Sequence, residues 1–357
     1  MTRVPPEAEG IATEPVSDCY LCGSRGDLLY QGLSDKLFGT PGAWNLKRCP
    51  GPECGLIWLD PMPTREGIGK AYRTYYTHHS DASAGGRKID WPSFALIKIS
   101  KPLYKLFMRV IGLRRFEKRW QERSGHMFLE DPPPGHRLLD VGCGGGDLLA
   151  RMRRSGWYVE GVDVDAAALD QARLKHGLRV YLGYLEDLRF PEESFDAITM
   201  NHVIEHVHEP VPMIRECFRL LRPGGRLVLV TPNSNSMGHR EFGSYWRGLE
   251  PPRHLHLFTM RTLAECATRA GFRSSDTWTF PTNSEGMLLE SFDIQERTTG
   301  IRKWEYLKWA ATSSLKFREY LLTKNNKEEG EEVVLVASKE NGTLRPTTSL
   351  SPGTARV

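Results

Sequence analysis

The chain has no uncharged apolar run near the roughly 18 residues that read as a spanning helix, so no membrane span is expected. Its opening stretch, MTRVPPEAEGIATEP, has no apolar segment of the kind a secretory leader needs, and the expected compartment is the cytoplasm. Excess charge of one sign is also lacking. Lys and Arg number 48 against 44 Asp and Glu, and the net +4 does not by itself imply nucleic-acid binding. Seven cysteines, odd in number and unevenly spaced, point away from a disulfide framework and toward metal ligation plus free thiols. One glycine is missing from a familiar place. Counting from Gly142, the G-x-G-x-x-G dinucleotide fingerprint needs a glycine where Asp147 stands, which excludes that fingerprint.

What is present begins with LLDVGCGGGDLL at 138–149. Leu138, Leu139 and Val141 form a short apolar run that breaks into glycines at 142, 144, 145 and 146, and helix-compatible residues follow. The pattern predicts a buried strand turning sharply into a helix, whose N-terminal N–H groups and dipole favour a nucleotide-like ligand bearing a carboxylate or phosphate. GWYVEGVDVD (156–165) predicts a second strand ending in Asp163, about 20 residues past the glycines, where an acidic side chain suits ribose hydroxyls. Asp165 is the alternative, or caps the helix from Ala166. Strands are expected again at about 180, at Phe195–Met200 and over 226–233, with a helix over 209–225. Thr259 suits the cap of a helix through Ala270, closed by Gly271. Such alternation with short connections demands a parallel, doubly wound sheet. RSSDTWTF (273–280) and EEVVLVAS (331–338) read as the last strands. The roughly 50 residues between them, with an aromatic, basic helical stretch at 303–322, read as a cover or an interface.

Ahead of this domain, Cys19-x2-Cys22-Gly23 and Cys49-x4-Cys54-Gly55 describe a four-cysteine site of zinc type, structural because four thiolates leave no open position. Residues 56–80 read as a strand, a Pro-rich turn and a helix. There Tyr72, Tyr75, Tyr76, His78 and His79 either reach a substrate or pack this module onto its neighbour. Residues 98–123 carry nine Lys/Arg against Glu117 and Glu122, with apolar residues at helical spacing, and predict a basic amphipathic helix broken at Gly112. Its functional reading is an anionic partner, a phosphate-bearing substrate or a membrane surface; its plain reading is a connecting helix with a solvated basic face.

Asp140-x-Gly142-x-Gly144-x-Gly146, the run LEDLRFPEESFDAI…EHV, and the cysteine pairs followed by CGLIWLDPMPT…YYTHH resemble class I S-adenosylmethionine-dependent methyltransferases. They are similar in particular to the subset with an N-terminal four-cysteine zinc-ribbon extension, and the resemblance spans roughly 19–338. It implies an α/β, Rossmann-like doubly wound sheet, parallel with a terminal antiparallel hairpin, and a small N-terminal zinc-binding module. The expected divisions are a disordered 1–16, a zinc-ribbon-like 17–80, a basic helical connector 81–131, a methyltransferase domain 132–338 with a helical insertion at 283–330, and a disordered 339–357. The implied cofactors are S-adenosyl-L-methionine and a structural Zn2+. The cofactor would be held by Asp140, Gly142, Gly144 and Gly146, with Asp163 at the ribose, Leu185 and Glu186 at the adenine, and Asn201 and His202 at the methionine part. His206 or His254 would stand nearer the acceptor as a general base.

His202-Val-Ile-Glu205-His206 also fits the H-x-x-E-H metalloprotease pattern, but it follows a Rossmann strand and is stopped by Pro210, which excludes the long zinc helix. A second metal at His202, Glu205 and His206 is a milder alternative, with ligands that suit zinc better than magnesium. The expected reaction is methyl transfer to a small molecule, at a hydroxyl of a sugar, lipid-linked or secondary-metabolite acceptor. The alternatives are a non-catalytic module that docks on a partner, or nucleic-acid methylation, which would show steep salt dependence.

Overall fold

The computed structural model describes residues 10–72, 90–281, 284–325 and 328–340. Tyr75, Tyr76, His78 and His79 lie outside the described residues. The N-terminal part holds β1 (Thr13–Glu14), β2 (Asp27–Leu33), β3 (Trp44–Arg48), β4 (Ile57–Leu59) and β5 (Met62–Pro63), then a 3-10 turn at Ile68–Tyr72. A helical pair follows, α1 (Trp91–Val110) and α2 (Leu113–Gly125), and the expected break falls at Gly112. The larger part runs β6 (Arg137–Val141), α3 (Asp147–Arg154), β7 (Tyr158–Asp163), α4 (Ala166–His176), β8 (Arg179–Leu182), β9 (Phe195–Asn201), α5 (Pro210–Leu220), β10 (Leu221–Pro232) and α6 (Met237–Phe242). It closes with β11 (His256–Leu257), α7 (Met260–Ala270), β12 (Ser275–Phe280), α8 (Ser284–Thr299), α9 (Glu305–Asn325) and β13 (Glu332–Ser338).

The main sheet has the order β12-β13-β10-β9-β6-β7-β8. β10, β9, β6, β7 and β8 run parallel, and β13 lies antiparallel between β10 and β12. Central strands are covered on both faces, which is why β6 and β9 are buried along almost their whole length rather than at alternate positions. Local signals worked as expected at the caps. Asp165 accepts from the N–H of Ala167 and Ala168 at the start of α4, and Thr259 and Thr262 cap α7 reciprocally. One boundary differs: α5 stops at Leu220 instead of running to Gly225. Arg222 precedes Pro223, and a residue before proline is driven out of helical geometry.

The N-terminal module is not set apart from the sheet domain. Its own sheet has the order β11-β4-β3-β2, and β11 comes from the loop after β10. Trp44, Leu46, Ile57 and Trp58 share one buried apolar cluster with Leu139, Val141, Ile198 and Leu257. On another side, α1 packs on α9, with Phe107 against Phe317 (ring centroids 5.4 Å) and the Tyr104 hydroxyl donating to the Ser313 carbonyl at 3.2 Å. The 283–330 insertion is thus the pair α8 and α9, and together with α1 and α2 it forms a helical cover over one side of the sheet domain.

Candidate active site

A cavity of about 1660 Å³ opens at the carboxyl ends of the parallel strands, where ligands of open α/β sheets bind. It exceeds the roughly 300–1,000 Å³ of a pocket for one drug-sized ligand. Its first end is built by Gly142, Gly144, Asp163, Gly183, Tyr184, Leu185 and Glu186. Its second end carries Tyr72, His206, Arg247, Glu250 and His254, with Gln121 of α2, Met287 of α8 and Lys316 of α9 on the helical side.

Asp163 ends β7 with its carboxylate fixed from below: Oδ2 accepts from the N–H of Gly144 at 2.8 Å and Oδ1 from that of Asp165 at 2.9 Å. Burial raises its pKa from the ordinary carboxylate value. Among the expected cofactor residues, Gly142, Gly144, Asp163, Leu185, Glu186 and His202 line the cavity, whereas Asp140, Gly146 and Asn201 stand off it. Asp140 is buried beneath the glycine corner and accepts from the Thr199 hydroxyl at 2.6 Å, and burial pushes its pKa up to about 7. Gly146 caps α3, pressed against Ala172 and Leu178. Asn201 is exposed at the end of β9.

His202 lines the cavity but is committed to two carboxylates, Glu205 through Nδ1 (3.2 Å) and Glu332 through Nε2 (2.9 Å). Burial alone would lower its pKa, but these flanking charges overcome burial and push it up to about 10. Burial would raise Glu205, yet the hydrogen bond and charge of His202 bring it down to about 2. A carboxylate at each ring nitrogen favours an imidazolium that donates from both. Its backbone has φ +56°, a strained conformation for a non-glycine residue.

His206 and His254 meet across the second end, ring centroids 4.8 Å apart. His206 donates through Nδ1 to the Arg253 carbonyl at 2.9 Å, and the Tyr72 hydroxyl stands 3.0 Å from the same nitrogen. His254 donates through Nδ1 to the Gly248 carbonyl at 2.7 Å. A carbonyl only accepts, so each Nδ1 carries a hydrogen, and the His254 Nε2 stands 3.6 Å from Glu250 Oε2. Burial pushes the His254 pKa down to about 4. Glu205, His206 and His254 each offer a ligand atom, all within 4.8 Å of one another, which is the set that could hold a metal here. The set expected from sequence had His202 in place of His254, but both ring nitrogens of His202 are taken up by Glu205 and Glu332.

Sequence reasoning missed what holds this end in place. Arg253 is fully buried and gives Asp35 two hydrogen bonds of 2.9 Å, Glu250 one of 2.8 Å, and the Thr40 hydroxyl another of 2.8 Å. Arg247 pairs with Glu250 and Glu290. The alternation of Arg247, Glu250 and Arg253 at spacings of three was the available signal. On the opposite flank of the module, Cys19, Cys22, Cys49 and Cys54 bring their Sγ atoms within 4.8 Å of one another, with the Cys19–Cys54 edge 3.6 Å and the Cys22–Cys49 edge 3.3 Å. A tetrahedron with Zn–S near 2.3 Å has edges of about 3.8 Å, and the four sulfurs fit it.

A glycine corner, an acidic residue closing the next strand, and a cavity at the carboxyl edge of a parallel sheet define a nucleotide-type site on a class I methyltransferase fold. The comparisons agree with such a fold: residues 113–275 match the methyltransferase-domain family. A ubiquinone biosynthesis O-methyltransferase of Hahella chejuensis is 45% identical over 109 residues, which are 29% of this chain and 45% of that protein. The protein of the same name from Klebsiella pneumoniae is 37% identical over 122 residues, 32% of this chain and 47% of that one. The chain thus spans about half the length of the curated relatives it matches. Among solved structures, phosphoethanolamine N-methyltransferase 2 of Haemonchus contortus, in complex with S-adenosyl-L-methionine, overlaps at 20% identity with a TM-score of 0.42, covering 62% of this chain and 53% of that one.

Proposed function

We propose that this chain transfers a methyl group from S-adenosyl-L-methionine to a hydroxyl oxygen of a small-molecule acceptor. The observation that carries the reading is the two-ended cavity, with Gly144 and Asp163 at one end and the paired imidazoles at the other. Methyl transfer from a sulfonium is a direct displacement, so the protein mainly supplies alignment and exclusion of water, and a hydroxyl nucleophile additionally needs a base. His254, held near 4, is too weakly basic to take that proton efficiently at neutral pH. His206 is the better base, its Nε2 freed by the Arg253 carbonyl, and His254 orients the acceptor as a neutral ring. His206→Gln should lower kcat by about 10²–10⁴ while the affinity for S-adenosyl-L-methionine stays unchanged, read by single-turnover assay and calorimetry. The reading as a whole is tested by calorimetric titration with the cofactor and by methyl-transfer screening against phenol, sugar and lipid-linked alcohol panels. Folded protein without saturable cofactor binding would overturn it.

The convergence of Glu205, His206 and His254 favours a second reading of the same end, in which these residues hold a divalent ion that acidifies the acceptor hydroxyl. Dialysis against a chelator separates the two, because only the metal reading loses activity that added metal restores. The four cysteines fit a structural zinc. Metal analysis should find a stoichiometric, tightly held ion, and Cys49→Ser should lose it together with thermal stability, since a structural zinc contributes folding energy outright.

A further inference from the structure

The face of α1 turned away from α9 is the largest feature that methyl transfer does not use. Ser93 and Met108 face inward and are buried, with Tyr104 beside them. On the outer side Leu96, Ile99, Leu103, Leu106 and Val110 recur at three- and four-residue steps and form one apolar row. All five are exposed, Ile99 at 65% and Val110 at 76%. Trp91 is 79% exposed at the start of the helix, and the exposed Trp304 reaches the same end by donating from its indole to Asp90 at 3.2 Å. Single exposed apolar residues are ordinary, but a contiguous row marks an interaction surface.

Beside this row Lys98, Lys101, Lys105 and Arg109 line the other edge of the same outer face. α1 contains no Asp or Glu, and among the described residues these four side chains make no ion pair. α2 continues the charge with Arg114, Arg115 and Arg119, while its Glu117 is held by Lys316 (2.8 Å). A solvated basic face explains the cations and leaves the apolar row unexplained. A second copy docked row to row would bring the two basic edges near each other with no acidic residue on the helix to offset them.

We propose that the outer face of α1 docks on an anionic phospholipid surface, its apolar row and Trp91 in the headgroup boundary and its basic edge on the lipid phosphates. An interfacial helix combines these two elements side by side, an apolar stripe for burial and cations for attraction to acidic lipid. The surface belongs to the same helical cover that lends Gln121 and Lys316 to the cavity wall.

Co-sedimentation of the full chain with vesicles tests this. Binding is expected to phosphatidylcholine vesicles doped with phosphatidylglycerol, not to phosphatidylcholine alone, and to weaken with salt. Each of Lys98→Gln, Lys101→Gln, Lys105→Gln and Arg109→Gln should weaken it about five-fold, the equivalent of about 1 kcal/mol per basic residue at an acidic leaflet. Ile99→Asp with Leu103→Asp should abolish it while leaving cofactor affinity and Tm unchanged, since both positions are exposed. Absence of binding to the doped vesicles, equal binding to neutral ones, or binding indifferent to Ile99→Asp and Leu103→Asp would overturn the proposal. So would a concentration-dependent dimer that the aspartates dissociate in a protein that ignores vesicles.

Discussion

Arg253→Leu should lower stability by about 3–5 kcal/mol, the usual cost of removing one partner from a buried ionic network. The side chain is fully buried, and the variant leaves Asp35 and Glu250 in the interior without their shared cation. Neither is stripped bare: Asp35 still accepts from the N–H groups of Leu37, Phe38 and Thr40, and Glu250 keeps Arg247. The sign with pH follows from the two carboxylates. Burial would raise both, but Arg253 holds Asp35, and Arg247 with Arg253 adding holds Glu250, below their ordinary values of 3.8 and 4.5. Depressed acids contribute stability that is complete above the unfolded pKa and fades as pH falls through the folded one. The gap between wild type and variant should therefore be widest at neutral pH and close below about pH 4, measured by urea unfolding across a pH series. Arg253→Lys should recover only part of it, because an ammonium cannot reproduce the guanidinium's forked pair of bonds to Asp35. A gap that is flat with pH would mean that lost packing, not lost charge, dominates.

The same network shows where sequence reasoning reaches and where it stops. The glycine corner, the cap at Asp165, the Thr259–Thr262 box and the break at Gly112 were legible, because each is decided by residues within a few positions of one another. The clustering of two cysteine pairs was legible for a different reason, since four thiolates at such spacing have few other uses. His202 was not. Its spacing placed it at the cofactor, and it does face the cavity, but its second partner Glu332 lies 130 residues further along the chain. Arg253 reaches Asp35 across 218 residues and Tyr72 meets His206 across 134, and no local pattern announces such pairs. β11, only two residues long, joins the sheet of the cysteine module for the same reason, and with it the module shares a core with the methyltransferase domain.

Gly144→Asp should abolish binding of S-adenosyl-L-methionine, by more than about 100-fold or roughly 2.8 kcal/mol, without unfolding the protein. The three alternate glycines of the corner look equivalent in sequence but are not equivalent in space. A Cβ on Gly142 would stand 2.3 Å from Val203 Cγ2, and one on Gly146 would stand 2.4 Å from Leu178 Cδ1. Those two positions are required by packing, and Ala at either should destabilise the fold, by about 1–3 kcal/mol for overpacking plus strain. A Cβ on Gly144 meets nothing within 4 Å. The chain there has φ +50°, a left-handed conformation that aspartate tolerates better than most residues. The new carboxylate would project toward the cavity next to Asp163, whose Oδ2 already takes the Gly144 N–H, and would both fill the cofactor's approach and set a second negative charge beside the first. Gly144→Ala carries the steric part alone and should fall between wild type and Asp, so the difference between the two variants isolates the charge. Calorimetric titration and thermal melts on Gly142→Ala, Gly144→Asp and Gly146→Ala should therefore separate cleanly: affinity lost at 144 with Tm nearly kept, Tm lost at 142 and 146. Unchanged cofactor affinity in Gly144→Asp would move the binding site away from this corner, whatever the fold.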